Sequence, residues 1–205
     1  MQDRASLISS RLLDPKEGET VIDVCSAPGG KSFSAAIYSR DMAKIHSFDI
    51  HESKLSLITS GAERLGLGSI SVAQRDALTP DETLLGKADK VICDAPCSGL
   101  GVLGKKSDLR YKDLSATSEL SMIQQDILKA SSAYLKVGGV IIYSTCTLNP
   151  EENERVVEKF ILDNPSFELV PFSVGDLTGE NGMLTLLPYL HHTDGFFIAK
   201  IRRKS

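Results

Sequence analysis

Two thiols stand where short apolar runs end, and the residues around them can do covalent and acid–base chemistry. Asp94-Ala95-Pro96-Cys97-Ser98-Gly99 closes the run at 90–94, and Ser144-Thr145-Cys146-Thr147 closes the run at 140–143. Both runs are rich in β-branched residues and read as strands, so each thiol lies just past the carboxyl end of a strand. A thiolate in that position is a nucleophile for covalent catalysis, and a carboxylate beside it can carry a proton. Cys93, and with it Cys25, reads instead as a small buried apolar side chain. A zinc site needs four ligands at characteristic spacing, and Cys93-x-x-x-Cys97 would have to splay alternate strand positions onto one metal. No metal is expected.

A second cluster follows the first strand, in Asp23-Val24-Cys25-Ser26-Ala27-Pro28-Gly29-Gly30-Lys31-Ser32. Small residues and two glycines let a ligand approach the backbone closely, and a helix starting at the end of the loop offers unpaired N–H groups and a positive dipole end. The spacing is neither G-x-G-x-x-G nor G-x-x-x-x-G-K-[ST], so neither a dinucleotide nor ATP is the favoured ligand. Asp49 closes the second strand nineteen residues after Gly30, where a carboxylate in such folds reaches the ribose hydroxyls of a bound adenosine. Asp76 follows the third strand and either accepts from an adenine amino group or caps a turn. Asp23 either orders the loop behind the ligand or is an ordinary structural carboxylate.

These residues need a scaffold that brings strand ends together. Runs at 21–24, 45–49, 70–72, 90–94 and 140–143 read as strands, and segments 31–38, 52–65, 119–135 and 151–162 read as helices. Gly66 ends the second helix, and Gly138-Gly139 follows the third. Asn149-Pro150-Glu151-Glu152 supplies an N-cap, a proline at the first helical position and a capping acid three residues after the cap. Alternation of strand and helix implies right-handed crossovers and an α/β fold. The expected architecture is a doubly wound, mostly parallel sheet, in which ligands bind outside the carboxyl ends of the strands. The run at 195–201 has no preceding crossover helix and is expected as an antiparallel C-terminal strand, with 171–188 as a loop.

Composition narrows the class without choosing a function. The chain has 205 residues, 41% hydrophobic and 24% charged, within the range of a single globular domain. No apolar stretch approaches the roughly 20 residues of a membrane-spanning helix, and no secretory h-region follows Met1. A cytoplasmic location is expected, with the four cysteines as thiols rather than a disulfide scaffold. A net charge of −4 gives no global attraction to a polyanion. Lys105, Lys106, Arg110, Lys112 and the tail Arg202-Arg203-Lys204 either contact phosphates or are ordinary solvated charges.

Taken together, the motifs resemble the Sun-type RNA cytosine-5 methyltransferases, and within them the branch acting on bacterial small-subunit ribosomal RNA. The resemblance rests on Gln2-Asp3-Arg4-Ala5-Ser6, Val24-Cys25-Ser26-Ala27-Pro28-Gly29-Gly30-Lys31-Ser32, Asp94-Ala95-Pro96-Cys97-Ser98-Gly99, Tyr143 through Glu154, and Thr193-Asp194-Gly195-Phe196-Phe197. It implies a Rossmann-like class I methyltransferase using S-adenosylmethionine, held by Cys25, Ser26, Ala27, Pro28, Gly29, Gly30 and Lys31 with Asp49, Asp76 and Asp94. It implies RNA, in particular ribosomal RNA, as partner, with a transfer RNA as the second choice and a non-catalytic RNA-binding module as the rival class. Cys146 is implied as the nucleophile, Cys97 as the residue that assists product release, Asp94 as the group on the N3 edge of the base, and Lys31 as an aid in positioning the ring. DNA cytosine-5 methyltransferases use the cysteine of a Pro-Cys pair instead, which would be Cys97 here. The loop after Gly101 departs from the family, with Lys105-Lys106-Ser107-Asp108 in place of basic residues followed by Pro-Asp. The resemblance also implies that residues 1–205 are a catalytic domain, a fragment without the family's N-terminal RNA-binding region.

Overall fold

The computed structural model describes residues 4–105 and 117–205. The expectations that fall on Gln2, Asp3, Lys106, Ser107, Asp108, Arg110 and Lys112 lie outside the described residues.

The chain begins with α1 (Arg4–Leu13) and β1 (Thr20–Asp23). α2 (Gly30–Tyr38), β2 (Lys44–Asp49), α3 (Glu52–Leu65) and β3 (Ile70–Gln74) follow. A 3-10 turn at Glu82–Leu84 leads to β4 (Ala88–Asp94), α4 (Thr117–Ser132), β5 (Leu135–Thr145) and α5 (Glu154–Asp163). The remainder holds β6 (Phe167–Leu169), β7 (Phe172–Val174), β8 (Leu177–Gly179), β9 (Met183–Leu186), α6 (Pro188–His191) and β10 (Phe196–Arg203).

The main sheet runs β3-β2-β1-β4-β5-β10-β6, with β9 also on β10. β3 through β5 are parallel, while β10 is antiparallel to β5, β6 and β9. This is the doubly wound, mostly parallel sheet with an antiparallel C-terminal strand that the sequence predicts. Alternate strand residues point to opposite faces. Ile22, Val91, Cys93, Ile141 and Tyr143 meet Ile127 and Leu128 of α4 and Val156, Val157 and Phe160 of α5. Val21, Ile45, Ile92 and Ile142 meet Ala5, Ile8, Leu12 and Leu13 of α1 and Ala35 and Ala36 of α2. Two covered faces explain why these strands are near-continuous apolar runs.

Several features differ from the sequence expectation, among them β6 and the short α6 after Leu187, neither of which it contained. α1 was not anticipated, although Ala5, Ile8, Leu12 and Leu13 are buried at helical spacing. α4 ends at Ser132, and Leu135 opens β5, which passes Gly138-Gly139 through a register shift against β4. The helix expected at 151–162 starts instead at Glu154, because 150–153 form a turn in which Asn153 N–H donates to the Pro150 carbonyl at 3.2 Å. The loop expected at 171–188 contains β7, β8 and β9. β7 and β8 form a hairpin in which Val174 pairs with Leu177 across Gly175-Asp176, and Gly175 takes a φ of 59°. Strands of three residues are too short to show a period in sequence.

α1 gives a direct test of this packing. Leu13 is 1% exposed, so Leu13→Ala is expected to lower stability by about 2–4 kcal/mol through lost burial and a residual cavity. A urea titration showing a change within about 0.5 kcal/mol, the range of surface substitutions, would place Leu13 outside the core.

Candidate active site

In the strand order, β1 and β4 flank the point where the winding of the sheet reverses, and the loops at their carboxyl ends frame the crevice there. The loop after β1 is fixed by the neighbouring strands. Val24 N–H donates to the Ile92 carbonyl at 3.1 Å, Ser26 N–H and Oγ both donate to the Phe48 carbonyl, and Ala27 N–H donates to Asp49 Oδ2 at 3.1 Å. Gly29 turns the chain into α2 with a φ of 105°. A Cβ there would lie 2.4 Å from the Phe33 ring, so this position requires glycine both for its backbone and for its neighbour.

Asp94 ends β4 and accepts on both oxygens, from Lys31 Nζ at 2.6 Å and from Ser144 Oγ at 2.6 Å. Lys31 is 8% exposed, and its ammonium also lies 5.3 Å from the Phe196 ring centroid. A charge withdrawn from water this far needs partners of both kinds. Asp23 lies behind this pair, accepting from Ser32 Oγ, which in turn accepts from Ser47 Oγ. Its Oδ1 is buried and finds no hydrogen-bond partner among the described residues. Burial pushes the Asp23 carboxyl up to about 7, against the opposing pull of Ser32 and Lys31.

The two rim thiols meet, with Cys97 Sγ 3.2 Å from Cys146 Sγ. The hydrogen bond with Cys146, together with burial, pushes the Cys97 thiol up. Burial also raises the Cys25 and Cys93 thiols. Gly101 N–H donates to the Cys146 carbonyl at 2.9 Å, and Gly195 N–H donates to the Gly101 carbonyl at 2.9 Å. A Cβ on Gly101 would lie 2.0 Å from the Gly195 carbonyl oxygen, so the chain before β10 clasps the thiol rim only with glycine there.

Two cavities meet at Cys25, Ala27 and Asp94. One, of about 410 Å³, contains Asp49, Asp76, Cys97 and Cys146 together with Val24, Leu78, Ile123 and Ile127. The other, of about 870 Å³, is lined by Asp23, Ser26, Pro28, Gly30 and Lys31 and extends between α2 and α3. The smaller combines apolar walls with carboxylates at strand ends and leads to the thiols, an arrangement that suits a flat base and its ribose.

The sequence-predicted residues therefore divide. Asp49, Asp76, Asp94, Cys25, Ala27, Cys97 and Cys146 line the smaller cavity, whereas Ser26, Pro28, Gly30 and Lys31 line the larger and Gly29 lines neither. Asp49 also accepts from His51 N–H, and Asp76 Oδ1 accepts from Leu78 N–H at 2.9 Å, so Asp76 caps a turn and lines the cavity at once. Cys93 is fully buried, while Cys25 is only partly so and faces both cavities. Lys105 is paired with Asp194 at 2.6 Å, Arg202 with Glu168, and Arg203 donates to the Leu135 carbonyl. Ser144, Gln124, Glu152, Gly101 and Gly195 were not singled out from sequence. Glu152 read as a helix cap, and a capping glutamate and an inward-turned one leave the same sequence signal.

Fold and rim are those of a Rossmann-like α/β domain with a ligand crevice at the carboxyl ends of its strands. The chain belongs to the family described as 16S rRNA methyltransferase RsmB/F, which matches residues 10–202. It is 39% identical over 213 residues to a probable ribosomal RNA small subunit methyltransferase B of Bacillus subtilis, covering 100% of this chain and 47% of that protein. It is 36% identical to a tRNA (cytosine(72)-C(5))-methyltransferase of Pyrococcus horikoshii, covering 98% of this chain and 51% of that protein. The crystal structure of NSun6 from Pyrococcus horikoshii with SFG, an S-adenosylmethionine analogue, superposes with a TM-score of 0.87 at 33% identity, over 100% of this chain and 53% of that one. The chain spans about half the length of the curated relatives it matches.

Two predictions follow from this geometry. Asp23→Asn keeps an acceptor for Ser32 but removes the buried charge. A carboxyl raised in the folded state stabilises the fold at low pH and loses that contribution as pH rises toward about 7. Urea titrations should find Asp23→Asn more stable than wild type at pH 8, by on the order of 2–4 kcal/mol, with the gap closing toward pH 4; a gap that does not change with pH would contradict the assignment. Asp49→Ala removes the cavity carboxylate and the anchor of the Ala27 N–H, so calorimetry should show S-adenosylmethionine binding weakened by about 1.5–3 kcal/mol. Unchanged affinity would exclude Asp49 from the cofactor site.

Proposed function

We propose that this domain methylates C5 of a cytosine in small-subunit ribosomal RNA through a covalent adduct with Cys146. The carrying observation is the 3.2 Å approach of Cys97 and Cys146 on the rim of the cavity that also holds Asp94, itself bound to Lys31. Apolar walls and the carboxylates of Asp49 and Asp76 fit the adenosine of S-adenosylmethionine, with Asp94 and the loop from Cys25 to Lys31 at its reactive end. Bound there, that cofactor supplies the electrophilic methyl group.

C5 of cytosine is a weak nucleophile until a thiolate adds to C6. Of the two thiols in contact, Cys146, the cysteine of the Thr-Cys pair at the end of β5, is assigned as the one that reacts as the anion. Its Sγ bonds to C6, the C5–C6 π pair shifts onto C5 and, through C4, onto N3, and the Asp94–Lys31 pair faces that edge of the base. Lys31 offsets the negative charge beside it. After methylation the C5 proton passes to water, the C–H pair re-forms the C5–C6 double bond, and the C6–Sγ bond breaks with its pair returning to sulfur. Cys97, in contact with the departing sulfur, assists that release. The target base must be unstacked, because paired RNA hides the ring face. Among the described residues no helix is long and apolar enough to cross a membrane, and the reading places the reaction in the cytoplasm. A transfer RNA target is the second reading, carried by the 36% identity with the Pyrococcus horikoshii enzyme.

The test uses full-length protein and labelled RNA on denaturing gels. Cys97→Ala is expected to accumulate an RNA–protein adduct, and Cys146→Ala to give neither adduct nor product while retaining cofactor affinity. Adduct in Cys146→Ala and none in Cys97→Ala would make Cys97 the nucleophile. Bisulfite sequencing of cellular RNA with and without the gene separates ribosomal from transfer RNA.

A further inference from the structure

We infer that Glu152 is a positioning residue that holds the Cys97 and Cys146 loops against one another. It is fully buried and lines neither of the two cavities that meet at Asp94, so it reaches the reaction only through other groups.

Its carboxylate accepts four hydrogen bonds. Oε1 receives Ser98 Oγ at 2.5 Å and Asn149 Nδ2 at 3.1 Å, and Oε2 receives Ser98 N–H at 2.8 Å and Gln124 Nε2 at 3.1 Å. Ser98 directly follows Cys97, and Asn149 lies three residues after Cys146. Gln124 Nε2 also donates to the Pro96 carbonyl at 2.9 Å, so Cys97 is gripped on both sides. Ser98 Oγ lies 2.8 Å from Thr147 Oγ1, which puts the residues following the two cysteines in direct contact. The backbone of Glu152 takes part as well, its carbonyl accepting from Tyr143 Oη at 2.7 Å. Three of the four carboxylate donors are N–H groups: the Ser98 one is backbone, and the Asn149 and Gln124 amides could reverse only by giving up their bonds with Glu151 N–H and the Pro96 carbonyl. Only a carboxylate can face all four, because a glutamine would offer one oxygen and turn its amide protons on the remaining donors. A buried carboxylate is costly unless it is satisfied in this way, and the partners that satisfy it sit beside the two thiols.

The consequence for catalysis rests on the covalent reading above, whereas the positioning can be measured without RNA. Diamide oxidises two adjacent thiols: the dithiol gives up two protons and two electrons, a disulfide forms, and the diazene becomes a hydrazine. The rate of Cys97–Cys146 disulfide formation, followed by mass spectrometry, reports how well the pair is held. Glu152→Gln is expected to slow it about tenfold or more and to lower kcat by about tenfold or more, since a misplacement near 1 Å can cost about a hundredfold. The KM for RNA and the cofactor affinity should stay within about threefold of wild type, because Glu152 contacts neither ligand. Ser98→Ala, which deletes one hydroxyl and keeps the backbone bond, should shift both rates in the same direction by less. Wild-type pairing in folded Glu152→Gln, or slowed pairing with unchanged kcat, would overturn the assignment. If Glu152→Gln does not fold, Ser98→Ala decides: slowing of both rates supports the assignment, and wild-type values for both overturn it. Failure of the covalent reading would appear separately, as a Cys146→Ala protein that still methylates RNA.

Discussion

Asp94 and Ser144 stand opposite one another in the parallel ladder of β4 and β5, next to the pair Cys93 and Tyr143. The whole rim is built outward from that register. It lets Ser144 hydrogen-bond Asp94, it makes the two strands end level, and it brings the loops that follow, each with one thiol, into contact. Because side chains alternate along a strand, a slip by one residue would exchange the sets that β5 turns toward the two helical layers. The slip is opposed by burial on both sides, since Ile141 and Tyr143 fill one layer and Ile142 the other. Core packing therefore sets the sulfur–sulfur distance through the ladder.

The polar residues under the rim form a second layer of constraint. Asp23, Ser32 and Ser47 make a buried chain from β1 through α2 to β2, and Lys31, next to Ser32 on α2, reaches across to Asp94 on β4. One helix turn thus ties three parallel strands together by hydrogen bonds rather than by apolar contact. Buried polar groups carry a desolvation cost that only well-made partners offset. The orphaned oxygen of Asp23 shows where this layer is not fully compensated.

Much of this was legible in the sequence, for physical reasons that differ from residue to residue. The parallel strands announce themselves because both their faces are buried, and the thiols can be placed at strand ends as soon as the strands are known. The antiparallel last strand is legible from the lack of a helix-length crossover before it. What the sequence did not show depends on tertiary contacts. Glu152 has the spacing of a helix cap, yet it turns inward because Ser98 and Gln124 await it from distant segments. Lys31 could be assigned to the cofactor loop from its position, but its aim at Asp94 depends on the register of β1 with β4. The hairpin of β7 and β8 is invisible to period counting, and only Gly175-Asp176 between Val174 and Leu177 hints at it.

The clasp of Gly195 on Gly101, and of Gly101 on Cys146, bears on the order in which the molecule assembles. During synthesis both cysteines are made well before Gly195, and domains begin to form from the N-terminal side. The parallel strands can pair before the closing contact exists, but the loop that carries Cys146 lacks its outer support until the last strand folds back along β5. The bonds that join the two thiol loops are all made by residues up to Glu152, so the clasp of Gly195 is an outer brace added to a pair of loops that already hold one another.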